Sequence, residues 1–113
     1  MAKQAYPKLQ ETLWHEKLDN GLEVFVLPKP GFTKTYATFT TKYGSVDNHF
    51  TRPDGETIEV PDGIAHFLEH KMFEEPDGDI FSKFASQGAS ANAYTSFDRT
   101  VYLFTATGEV EAN

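Results

Sequence analysis

Three residues with chemistry in them stand close together in this chain: His66, Glu69 and His70, in the run His66-Phe67-Leu68-Glu69-His70. On a helix, residues four apart share a face, so the two imidazoles project side by side. That spacing lets both ring nitrogens reach one zinc ion at about 2.0–2.1 Å. Glu69, three residues after His66, sits on the same side. A carboxylate there can accept a proton from water that the metal has acidified, from a pKa of about 15.7 towards about 7. The same pattern also arises by chance on solvated helix faces. Here its neighbours are apolar: Phe67 and Leu68, continued by Ile64 and Met72. Such a stripe anchors the helix and leaves a rigid edge for a metal site. The chain has no cysteine, which excludes thiolate ligands and leaves imidazole and carboxylate. Two imidazoles and a carboxylate would accept several divalent ions, zinc among them.

The elements that must hold these residues can be read from periodicity and breakers. Residues 1–11 read as a polar lead-in. Strands are expected at 13–18 and 22–27, joined by the Asp19-Asn20-Gly21 turn, and at 35–43, closed by Gly44. Residues 45–61 are polar and read as a loop with room for a short hairpin. The helix bearing the motif is expected over about 62–75, with Asp62 as N-cap, Pro76 as its stop, and Ile64, Ala65, Phe67, Leu68, Met72 and Phe73 as its buried stripe. Asp77 then caps a second helix that buries Ile80, Phe81, Phe84 and Ala85 and ends at Gly88. Strands at about 91–97 and 99–106 flank a tight turn near Asp98. Strands, then helices, then strands give an α+β class, with an antiparallel or mixed sheet packed against helices. One domain over 1–113 is expected, with signs of belonging to something larger.

Beyond the motif, Gly63-Ile64-Ala65-His66-Phe67-Leu68-Glu69-His70 with Met72-Phe73 closely resembles the pitrilysin (insulinase) family of zinc peptidases, the inverzincins. Leu18-Asp19-Asn20-Gly21-Leu22, the stretch Phe81 to Gly88, Ala91-Asn92-Ala93-Tyr94-Thr95, and Asp98, Thr100 and Tyr102 also look like family segments in the family's order. The resemblance implies the N-terminal part of a pitrilysin-type metallopeptidase domain. It implies His66 and His70 as zinc ligands, Glu69 as the general base, and Asn92 and Ala93 on a strand edge that pairs with an extended peptide substrate. Read from local physics alone, Asn92 is better taken as a turn or bulge residue, and only the family likeness reverses that reading. Asp98 and Thr100 suit a tight turn, and Tyr102 and Phe104 suit packing.

A catalytic zinc site usually has three protein ligands and a water. Two ligands are visible, and the family's third, a downstream glutamate, is expected beyond Asn113. Glu109 and Glu111 are the last carboxylates present and lack a matching context, and His15 and His49 are far from the motif in sequence. The family's chamber is closed by a second peptidase half, expected from the same chain beyond residue 113 or from a partner subunit. Where the family often has Gly-Thr after the motif, this chain has Glu74-Glu75-Pro76-Asp77-Gly78, and its loop from Asn48 to Val60 is longer than in the simplest members. These departures point to a bacterial subfamily. The resemblance thus implies a zinc-dependent endopeptidase or oligopeptidase, this piece being inactive alone. The alternative is a non-catalytic peptide-binding or assembly subunit.

A net charge of −7 over 113 residues argues against nucleic acid or anionic membrane as partner. Hydrophobic residues at 39% suffice for a core. The first residues lack the apolar run of a secretory signal, and no stretch approaches the roughly 20 apolar residues of a membrane span. A soluble, cytoplasmic protein is expected, with self-association through an unfinished sheet edge.

Overall fold

The computed structural model describes residues 1–108. The chain divides into two compact units, Met1–Phe32 and Thr33–Asn113.

The first unit is a three-stranded antiparallel sheet. β1 (Ala2–Tyr6), β2 (Glu11–Lys17) and β3 (Glu23–Val26) lie in that order. The stretch expected as a polar lead-in is therefore a strand. Its residues are exposed, so no burial pattern announces it, and it forms by pairing with β2 from Ala2↔His15 to Tyr6↔Glu11. The β2–β3 turn follows its sequence signal. Gly21 takes φ 89°, and Asn20 Oδ1 accepts from the Leu22 N–H at 3.0 Å. His15 stacks on Phe25 with centroids 4.3 Å apart.

The second unit holds β4 (Lys34–Thr41), β5 (His49–Thr51), β6 (Thr57–Glu59), α1 (Ile64–Met72), β7 (Glu74–Glu75), β8 (Gly78–Asp79), α2 (Ile80–Ser86), β9 (Ala89–Thr95) and β10 (Thr100–Thr107). Its main sheet has the order β4-β10-β9, antiparallel throughout. β10 is the central strand, consistent with its β-branched and aromatic composition. The expected α+β class is the observed one. The polar loop does carry a short hairpin, β5 with β6.

Several expected details give way. The N-cap of α1 is Gly63 at φ 85°, with no side-chain cap, because the Asp62 carboxylate is engaged by Asn48 Nδ2 at 2.7 Å. The helix ends at Met72, three residues before the expected limit. Residues 74–79 form a small β7–β8 hairpin around Pro76, so proline sits in a turn and does not stop the helix directly. The cap of α2 is Asp79 rather than Asp77. Its Oδ1 accepts from the Phe81 N–H at 2.8 Å. Gly88 follows α2 at φ 73°, as a C′ glycine should.

The core is thin. Its buried apolar residues among those described are Ala65, Ala89, Val101 and Ala106. The expected stripe of α1 is buried at Ala65 alone, while Phe67 (56%) and Met72 (60%) stay exposed. For Met72 the reason is geometric: with Leu68, Phe39, Ile80, Phe84 and Phe104 it lines an open apolar cleft of about 580 Å³. On α2, Ile80 and Phe84 are half-buried, whereas Phe81 and Ala85 are exposed. Aromatic contacts tie helices to sheet: Phe73 stacks on Phe81 at 4.7 Å and meets Tyr102 at 5.9 Å, and Phe84 meets Phe104 at 5.9 Å.

Candidate metal centre

The site is built on one turn of α1 and on the sheet beneath it. His66 and His70 are exposed and present their Nε2 atoms 3.0 Å apart. Without an ion, one ring can donate to the other, the direction depending on the tautomers. Two nitrogens that each sit about 2.0–2.1 Å from a common ion can be at most about 4.2 Å apart, so this separation suits chelation without helix movement. One donor atom from each of His66, Glu69 and His70 lies within 4.8 Å of the others. No other group of this kind occurs among the described residues.

Glu69 faces inward and is 8% exposed. Its Oε2 accepts a hydrogen bond from Thr95 Oγ1 on β9 at 2.6 Å. That length is in the charge-assisted range for a hydroxyl donating to a carboxylate. The Tyr102 phenol is held above its usual pKa, first by burial and then by the Glu69 carboxylate, whose negative charge disfavours a phenolate nearby.

A concavity of about 990 Å³ joins these groups. His66, Glu69, His70, Asn92, Ala93 and Thr95 all border it. Glu74, Glu75 and Asp79 border it too, and the first two are paired with Lys71 and Lys83. The structure thus gathers into one hollow all five residues named from the sequence. β9 is an edge strand in continuous register with β10, Asn92 opposite Leu103 and Ala93 opposite Tyr102. Asn92 is therefore neither turn nor bulge. Its own Oδ1 accepts the Ala93 N–H at 2.8 Å. Asp98 lies in the β9–β10 turn, whereas Thr100 is the first residue of β10. His49 lies exposed on β5, and Glu109 and Glu111 fall outside the described residues.

Two contributors were not legible. Thr95 ends a strand whose alternation marks it only as facing the helices. Ser45, also at the hollow's border, belongs to a loop whose path is set by its N–H bond to the Ser96 carbonyl at 2.9 Å.

An HxxEH helix over the edge of an antiparallel sheet, with a buried glutamate between two exposed imidazoles, defines a metallopeptidase-like site. Residues 55–110 match the insulinase family model, peptidase family M16. The chain is 67% identical over 110 residues to the uncharacterized zinc protease YmfH of Bacillus subtilis, covering 96% of this chain and 26% of that protein. It is 39% identical over 92 residues to insulin-degrading enzyme-like 2 of Arabidopsis thaliana, covering 77% of this chain and 9% of the relative. It also superimposes, with a TM-score of 0.80 and 56% identity, on a crystal structure described as an M16-like peptidase from Alicyclobacillus acidocaldarius, covering 88% of this chain and 23% of the other. The chain belongs to the insulinase family, peptidase family M16. It spans about a quarter of the length of the Bacillus relative.

Proposed function

We propose that this chain carries the catalytic helix of a zinc peptidase that hydrolyses extended peptides. The observation that carries the reading is the donor set itself: two imidazole nitrogens 3.0 Å apart, with a buried carboxylate held beside them. His66 and His70 hold the metal. The relatives' names specify zinc, which the nitrogen and oxygen donors suit. When bound, zinc acidifies water and polarises a carbonyl.

Glu69 takes one proton of the attacking water and is placed to return it to the leaving nitrogen, so that one amide bond and one water yield a carboxylic acid and an amine, which part at neutral pH as carboxylate and ammonium. The edge of β9 at Asn92 and Ala93 receives the peptide as an added strand. A further metal ligand and a second peptidase half come from outside these residues, and the protein works in the cytoplasm. Among the described residues no helix is long and apolar enough to cross a membrane.

The test is Glu69→Gln in the intact protein. Zinc content should stay the same while cleavage of a peptide falls by about 10²–10⁴, the usual contribution of a general base. Cleavage at the wild-type rate would refute the assignment.

A further inference from the structure

We infer that Thr95 is a positioning residue for Glu69, an inference that rests on the peptidase reading above. A general base works only if its carboxylate is oriented before the reaction, and a glutamate side chain has several rotamers to choose from. Here one oxygen is fixed. Thr95 Oγ1 donates to Glu69 Oε2 at 2.6 Å, and the carboxylate accepts no other hydrogen bond among the described residues. Oε1 is therefore the oxygen left to accept a proton.

The anchor itself is held from three directions. Thr95 is β-branched, which restricts χ1. Its backbone is paired with Thr100, which is 3% exposed and donates its own hydroxyl to the Tyr43 carbonyl at 2.8 Å. The next residue, Ser96, donates its N–H to the Arg99 carbonyl at 2.8 Å and accepts from the Ser45 N–H at 2.9 Å. The hydroxyl that orients the base thus sits on a strand end pinned by these bonds. A chain that needed only bulk at this position would be served equally by valine. The hydroxyl is the part that matters here.

The experiment uses the intact, zinc-loaded protein with Thr95→Val, Thr95→Ala, Thr95→Ser and Glu69→Gln, assayed on a peptide for kcat and KM, with zinc content and Tm measured in parallel. Valine and alanine should each lower kcat by about 10–100-fold, as lost outer-shell partners do, with KM and zinc content unchanged. Serine, which keeps the donor, should restore kcat. An inactive Glu69→Gln beside a fully active Thr95→Val would overturn the role of Thr95 and leave the peptidase reading standing. A fully active Glu69→Gln would sink that reading and Thr95's role with it. If serine fails to rescue, or if the loss tracks a lowered zinc content or Tm, Thr95 is structural and the inference is wrong.

Discussion

The Nε2 atoms of His66 and His70 stand 3.0 Å apart across one turn of α1. Because both donors come from a single helix, the pair exists as soon as the helix does. His66→Ala should therefore leave the fold intact, since the side chain is exposed. It should lower zinc affinity by more than the roughly 10–100-fold typical of lost outer-shell partners. Chelator competition on wild type and variant measures this, and unchanged affinity would exclude His66 as a ligand.

Tyr102 gives an independent view of Glu69. Its pKa lies above the usual 10.0 because of burial first and the Glu69 charge second. Above about pH 10 the unfolded chain gives up this proton while the folded chain keeps it. The folded state then binds more protons, so stability falls as pH rises through that window. Tyr102→Phe should remove this share of the alkaline loss. Glu69→Gln should move the phenol's titration down, though not to its usual value, because burial persists. Denaturant unfolding followed against pH in Tyr102→Phe tests the first statement, and ultraviolet titration of tyrosinate in Glu69→Gln beside wild type tests the second.

Gly44 has no room for a side chain. A Cβ there would lie 2.5 Å from the Phe97 carbonyl carbon and 2.6 Å from the Arg99 nitrogen, both backbone atoms that cannot swing away. Gly44→Ala should cost about 1–3 kcal/mol, the range for overpacking a filled site. Denaturant unfolding would show it as a lowered midpoint, and an unchanged midpoint would mean that the turn yields.

Asp79 caps α2 through its bond to the Phe81 N–H at 2.8 Å. Asp79→Ala should destabilise the unit by about 1 kcal/mol. Asp77→Ala, at the position the sequence favours, should change stability far less.

What was legible in the sequence was what is local. His66, Glu69 and His70 announce themselves because one helical turn fixes their relation, and Asp19-Asn20-Gly21 announces its turn for the same reason. The α+β class followed from the order of elements. What failed depended on competition or on distant partners. Asp62 looked like a cap until Asn48 claimed its carboxylate. β1 carries no burial pattern, and its pairing with β2 makes it a strand. Leu68 and Met72 have helical spacing, but the cleft they line is open, so spacing did not become burial. Thr95 and Glu69 are 26 residues apart, and only the packing of β9 under α1 brings them together.

The bond from Asn92 Oδ1 to the Ala93 N–H gives the outer edge of β9 a built-in placeholder. A vacant edge normally rewards any strand that lies along it, including a second copy of the same chain. At Ala93 a newcomer finds the donor already satisfied and must evict an amide that loses nothing by returning. Docking there is an exchange, close to neutral in hydrogen bonds, rather than a gain. A chain with nothing else to offer is held weakly and released, and retention depends on contacts made elsewhere in the hollow.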